Sequence, residues 1–275
     1  MIFTNKLENI RKHKVKKRTR IIASIGALFT VVMATTASAS GVLYTENFNS
    51  GSAGEWSHPN VQFRNGANNI RIKYPQYKVN SNGKVGSHPM MVGQIPISAN
   101  AIDATFKYRI KLEDNYDTNM GGKFFGLGPE EPVTGCRDIT TNGWSARVGI
   151  RDKHPQLYIY RQGKPDGECG EIIRAEQFTF EKNKWYDVAL YVKVNSSSTK
   201  SDAQARLYID GTEVAKKTGF KFFGGTSSNV PPAAKIQKII RTSFLGSMPS
   251  LTGAVKTGEV SALYDNFVVV RGNQP

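Results

Sequence analysis

Apolar and polar residues alternate along several stretches of the chain. In residues 102–112 every second residue is apolar, and most residues between them are charged. Similar alternation occurs at residues 70–73, 186–194 and 205–209, and residues 263–270 are also strand-like. A period of two is typical of β-strands with one buried face and one solvated face. The pattern therefore predicts sheets that bury one side.

The predicted strands are short and are separated by turns rich in Gly, Asn, Asp and Pro. No convincing long helix follows the N-terminal region, and no Pro- or Ser-rich linker divides the chain. These features predict an all-β, two-sheet jelly roll or β-sandwich in one domain over residues 40–275. Because one sheet of a jelly roll bends into a groove, we expect a concave site for a chain-like ligand.

The N-terminal region resembles a targeting segment. It is basic up to Arg20, apolar over residues 21–33, and ends in the small residues Ala37-Ser38-Ala39. This order predicts a secretory signal peptide over residues 1–39, and a secreted or periplasmic mature protein. An uncleaved N-terminal anchor is the alternative.

The charge suggests an anionic partner. The formal net charge is +15, of which the first 39 residues contribute +7 through eight basic residues and one acidic residue, leaving +8. For an exported protein, an acidic polysaccharide is a more natural partner than nucleic acid. In addition, no basic run outside the leader resembles a nucleic-acid-binding arm. We expect a monomer with no membrane contact after cleavage.

The sequence contains two cysteines, Cys136 and Cys169. In an oxidising compartment they could form one disulfide, which would contribute about 3–4 kcal/mol through loop closure. Two buried free thiols are the alternative. Without nearby histidines the pair does not indicate a zinc site, and we expect neither a metal nor another cofactor.

Residues 143–161 predict a hairpin with a polar face. Ser145 and Arg147 alternate with apolar residues on the first strand, and Tyr158 and Tyr160 do so on the second. Strand geometry places each pair on one side of its strand. An ordinary solvated sheet face is the alternative interpretation.

The register of this hairpin determines which side chains meet. If Arg151 pairs with His154 across the turn, Arg147 faces Tyr158. In the same register Ser145 faces Tyr160. The same register, extrapolated through the loops, sets Cys136 opposite Cys169. That extrapolation supports the disulfide.

Several short motifs occur in a characteristic order. They are GGK at 121–123, GWSAR at 143–147 and YIY at 158–160, supported by RIKYP at 71–75, KFFGLG at 123–128, WYDV at 185–188, LYIDG at 207–211 and YDNF at 264–267. Together they resemble polysaccharide lyase family 14, whose members include alginate lyases and glucuronan-cleaving enzymes. The chain departs from the family pattern at 124–125, where Phe-Phe replaces a frequent Leu-Pro, and in the Cys-bearing segment 134–140.

The resemblance implies a concanavalin-like jelly roll and a metal-independent lyase that cleaves an acidic, uronate-containing polysaccharide by β-elimination. It also implies a catalytic set, which is Lys123, Ser145, Arg147, Tyr158 and Tyr160. Mannuronate, guluronate and glucuronate remain equally open as the sugar acid.

These residue types suit β-elimination. Removing the C5 proton of a uronate builds charge on its carboxylate, which the guanidinium of Arg147 could neutralise with two hydrogen bonds. Tyr158 or Tyr160 is expected to transfer a proton, because nearby cations favour tyrosinate. Lys123 is expected to assist or to provide a second positive charge, and Ser145 to position the carboxylate. The order of these roles stays open.

Two residues outside the hairpin are candidates for substrate binding. Arg71 lies on the polar face of a predicted strand, and His88 precedes a proline. A solvated arginine and an ordinary loop histidine are the alternatives.

The sequence lacks groups that other catalytic functions require. A serine nucleophile requires a His/Asp relay, and a retaining glycosidase requires two carboxylates about 5 Å apart; neither pattern is visible. A non-catalytic jelly roll that binds acidic glycans is the main alternative, followed by a hydrolase or a structural surface protein.

Overall fold

A computed structural model describes residues 41–75, 93–116, 121–165, 168–245 and 258–275. Within these ranges the chain forms fifteen β-strands and two 3-10 helices, Gly54–Trp56 and Pro232–Ala234. No helix in the described part of the chain is long and apolar enough to span a bilayer. The predicted signal peptide, residues 1–39, lies outside the described residues.

Eight strands form the larger antiparallel sheet. They are β1 (Val42–Glu46), β2 (Val61–Arg64), β3 (Asn69–Tyr74), β5 (Asp103–Leu112), β10 (Trp185–Lys193), β11 (Ala203–Ile209), β12 (Thr212–Phe220) and β15 (Val260–Arg271). Their order is β12–β11–β10–β5–β15–β3–β2, and β1 pairs with β15.

Seven strands form the smaller sheet. They are β4 (Gln94–Ala101), β6 (Gly122–Gly128), β7 (Ser145–Arg151), β8 (His154–Tyr160), β9 (Glu171–Arg174), β13 (Ile236–Ile240) and β14 (Phe244–Leu245). Their order is β4–β13–β6–β7–β8–β9, and β14 pairs with β6.

The apolar faces of both sheets meet in one core. Phe106 of the larger sheet and Val148 and Leu157 of the smaller sheet are fully buried in the same cluster. Aromatic rings fill its centre, where Trp56 stacks on Phe267 with ring centroids 3.8 Å apart. This packing confirms the predicted all-β, two-sheet sandwich. The polar residues of β6, β7 and β8 therefore lie on the outer face of the smaller sheet.

The predicted hairpin register is also confirmed. Arg151 pairs with His154, and the pairing continues along the full length of β7 and β8. Cys136 and Cys169 form a disulfide, so the predicted bridge is confirmed.

Candidate active site

Three neighbouring strands bring the five predicted catalytic residues onto one outer face. Ser145 pairs with Tyr160 and Arg147 with Tyr158 between β7 and β8. Lys123 of β6 pairs with Gly149 of β7, two positions after Arg147. On β7 and β8 the arrangement follows from strand alternation, since residues two apart project to the same side, whereas β6 reaches it through a register shift between Lys123 and Gly126.

Lys123 lies against Tyr158. Its Nζ atom is 3.7 Å from the centre of the tyrosine ring. Burial, together with the smaller effect of the positive charge of Arg147, lowers the pKa of Lys123 to about 7. Both effects disfavour the ammonium form. Close to neutral pH, a large fraction of this side chain is therefore an uncharged amine that can accept a proton.

Arg147 is a buried cation, 2% exposed. Its Nη2 atom donates to the carbonyl oxygens of Thr242 and Phe124. Within the described ranges its Nε atom has no hydrogen-bond partner, and no ion pair includes this arginine. Burial lowers its pKa to about 10. Carbonyl dipoles hold the guanidinium in place without cancelling its charge.

A glycine makes room for this arginine. Gly126 of β6 pairs with Arg147. A Cβ atom at this position would lie 2.1 Å from the carbonyl oxygen of Ala146 and 2.7 Å from the Cγ atom of Arg147. The backbone of β6 can approach β7, the strand that carries Arg147, only because residue 126 has no side chain.

The two tyrosines form a hydrogen-bonded pair. Their hydroxyl oxygens are 3.1 Å apart, and the Tyr160 oxygen accepts a hydrogen bond of 2.9 Å from the backbone N–H of Cys136. Burial raises the pKa of Tyr158, and the positive charge of Arg147 opposes this less strongly. Arg147 thus favours tyrosinate, as expected, but desolvation outweighs its attraction and Tyr158 stays protonated.

Ser145 is fully buried, and its hydroxyl group donates to the carbonyl oxygen of Val133 at 2.7 Å. This bond ties β7 to the segment that leads to Cys136. The predicted contact between Ser145 and a substrate carboxylate stays a prediction, and the structure places the hydroxyl below the open surface.

The model of the family described as polysaccharide lyase 14 matches residues 62–251, which is more than half of the 275-residue chain. The chain belongs to polysaccharide lyase family 14. No curated protein matches its sequence.

Solved structures share the fold of this family 14 protein. A mutant of alginate lyase Aly36B in complex with alginate trisaccharide matches with a TM-score of 0.65 and 19% identity, covering 84% of this chain and 99% of that chain. The PL-14 alginate lyase from Aplysia kurodai matches with a TM-score of 0.55 and 17% identity, covering 77% and 86%. The endo-beta-1,4-glucuronan lyase from the fungus Trichoderma reesei matches with a TM-score of 0.50 and 12% identity, covering 83% and 95%. At these identities the likeness concerns the two-sheet architecture.

The family 14 protein has further residues at the site that the sequence analysis missed. Arg151, Gln156 and Ile172 line a small depression together with Lys123 and Tyr158. The first two continue the alternation of the predicted polar faces, so the same pattern could have identified them. Ile172 belongs to β9, where no alternation was recognised; it pairs with Tyr158 and is 41% exposed.

The two predicted substrate-binding residues have different outcomes. Arg71 lies on β3 of the larger sheet, and its Nε and Nη2 atoms each donate to the Glu113 carboxylate at 2.7 Å. Its neighbours Ile70 and Ile72 face the core, so Arg71 points away from it on the opposite sheet from the site. The structure does not bring Arg71 together with the catalytic candidates. His88 lies outside the described residues.

The polar groups of this lyase-family site are an amine, two guanidinium groups, hydroxyls and an amide. Among the described residues, no group of three or more His, Cys, Asp or Glu side chains could hold a metal ion.

Proposed function

We propose that this protein cleaves a uronate polysaccharide of the alginate or glucuronan type by β-elimination. The observation that carries the proposal is the contact of Lys123, whose pKa is about 7, with Tyr158, whose burial keeps it protonated. A base and an acid thus lie side by side, next to the buried charge of Arg147. The family membership supports the same class of reaction.

Arg147 supplies the positive charge that the sugar acid needs. When C5 loses its proton, negative charge spreads onto the attached carboxylate, and a fixed cation in a water-poor site stabilises it strongly. The guanidinium is already oriented by two carbonyl oxygens, so little reorganisation accompanies the reaction. The amide of Gln156, in the adjoining depression, can donate a hydrogen bond to the same carboxylate.

Lys123 accepts the proton from C5 through its neutral amine. The electron pair of the broken C5–H bond forms the C4–C5 double bond, and the C4–O4 bond breaks. A base with a pKa near the working pH combines sufficient basicity with a sufficient population of the reactive form.

Tyr158 donates its hydroxyl proton to O4 as the neighbouring sugar leaves. Its raised pKa keeps that proton in place until O4 needs it. Tyr160, hydrogen-bonded to the Tyr158 hydroxyl, can pass a replacement proton after release. Atoms and charge balance, because the C5 proton moves to the lysine and the Tyr158 proton moves to the leaving oxygen. After release the lysine loses its proton to water, and water supplies the proton that Tyr160 passes to Tyr158.

The test is a product assay on purified polymannuronate, polyguluronate and polyglucuronate. A lyase raises ultraviolet absorbance as the unsaturated ends accumulate, and we expect this with at least one of the three, with and without a metal chelator. No absorbance change, together with saturated reducing-end products, would indicate hydrolysis. Binding without any product would indicate a non-catalytic glycan-binding protein.

A further inference from the structure

The disulfide lies directly against the tyrosine pair of the proposed active site. Its first half, Cys136, donates the backbone N–H to the Tyr160 hydroxyl oxygen at 2.9 Å. Cys136 has a φ of 62°, a left-handed conformation that side-chain-bearing residues seldom adopt. Something must hold the backbone in this conformation for the N–H to point at the tyrosine.

The second half of the disulfide packs on the same rings. Cys169 contacts the small cluster formed by Val133, Tyr158 and Tyr160. A Cβ atom on the next residue, Gly170, would lie 3.0 Å from Tyr160 Cε2 and 3.1 Å from Tyr158 Cε2. The chain next to Cys169 is therefore pressed against the edges of both rings.

The bridge thus joins two segments that hold the tyrosines from different sides. The segment with Cys136 contacts the Tyr160 hydroxyl, and the segment with Cys169 contacts the rings. The hydrogen bond from Ser145 to Val133 fixes the first segment three residues before the cysteine. The chain around the Cys136 amide is therefore fixed at two points, by this hydrogen bond three residues earlier and by the disulfide at Cys136 itself.

We propose that Cys136, fixed by its disulfide, is a positioning residue for proton transfer in this enzyme. Its N–H occupies one lone pair of the Tyr160 oxygen and so directs the Tyr160 proton towards Tyr158. The inference rests on the proposed function, in which Tyr158 gives its proton to O4 and regains one through Tyr160. Without the bridge, the strained amide can relax, and the Tyr160 hydroxyl loses its fixed orientation.

The first experiment compares the wild type with the double variant Cys136→Ser and Cys169→Ser, both assayed well below their melting temperatures. Since small misplacements of reacting groups are costly, we expect kcat to fall roughly 10- to 100-fold with little change in KM. Losing the bridge also lowers stability. The matched control is therefore Val192→Ala, a core truncation in the larger sheet, where residue 192 is fully buried. This control should lower the melting temperature and leave kcat unchanged.

The second experiment places the cysteine changes in a Tyr160→Phe background. With no hydroxyl at position 160, the Cys136 amide has nothing to orient, so the cysteine changes should cause little further loss of kcat. An equal loss in both backgrounds, or an unchanged kcat in the first experiment, would overturn the positioning role. The two possible failures are distinguishable. If the wild type gives product, only the role of the bridge is at stake, whereas a wild type inactive on all three polymers overturns both proposals.

Discussion

The Nζ atom of Lys123 lies 3.7 Å from the centre of the Tyr158 ring, and burial shifts the pKa of the two groups in opposite directions. The amine is more easily deprotonated than a free lysine, and the phenol is harder to deprotonate than a free tyrosine. One cause, desolvation, thereby produces a base and an acid in contact. This contact is the reason we propose Lys123 as the base and Tyr158 as the acid, roles that the residue types alone leave open.

The pH dependence of kcat/KM should reveal Lys123. Only the neutral amine accepts a proton, so activity should rise with pH through about 7 and then level off. Lys123→Arg should remove this rise and lower kcat by roughly 10²-fold or more, because a guanidinium stays protonated. Lys238→Arg is the control, since this lysine of the same sheet pairs with Glu130. A wild-type rate that keeps climbing towards pH ~10 would contradict the assignment.

Arg147→Lys should lower kcat/KM by about 10²-fold while the protein remains folded. A lysine keeps the charge but loses the planar fork that Thr242 and Phe124 orient. Steady-state kinetics measure the loss, and circular dichroism checks the fold. Arg109→Lys, at a half-exposed ion pair on the larger sheet, should behave like the wild type. Similar kinetics for both variants would argue against Arg147 as the neutralising charge.

Tyr158→Phe should reduce kcat by roughly 10²–10⁴-fold with a much smaller change in KM, because it removes the proton donor to O4 and keeps the ring. Tyr160→Phe should have a smaller effect, since Tyr160 acts through Tyr158. Tyr191→Phe is a matched control, as this buried tyrosine lies on the larger sheet. The same assay measures all three variants. A Tyr158→Phe enzyme with full activity would exclude the phenol as the acid.

Gly126→Ala should destabilise the protein by roughly 1–3 kcal/mol, because the new methyl group overlaps the backbone of β7. It should also displace Arg147 and so reduce activity in the fraction that remains folded. Urea unfolding measures the stability. Gly41→Ala is the control, since its added Cβ would have its nearest neighbour at 3.4 Å. Equal stabilities of the two variants would show that β6 and β7 can separate at little cost.

Much of the fold could be predicted from local patterns. Alternation with period two identified β5 and β10, and the same alternation placed Arg147 and Tyr158 on one face. The turn between β7 and β8 then fixed the register, because a slip of one residue would reverse every side chain. The disulfide agrees with that register extrapolated through the loops, which supported the bridge without excluding free thiols.

Contacts between distant segments could not be predicted in this way. Thr242 lies 95 positions from Arg147, and no local pattern links its carbonyl oxygen to the guanidinium. Arg71 has the same strand context as a site residue, yet β3 belongs to the opposite sheet. Alternation tells which side of a strand a residue occupies, but not which sheet contains the strand.

The sequence by itself determined the two-sided strands, the hairpin register and the residue types at the site, because strand geometry repeats every two residues. Only the tertiary structure lowers the pKa of Lys123 and raises the pKa of Tyr158, which is why we propose the lysine as the base. That choice depends on how far each side chain is removed from water and on which charges surround it. Both are properties of the packed molecule that no local pattern contains.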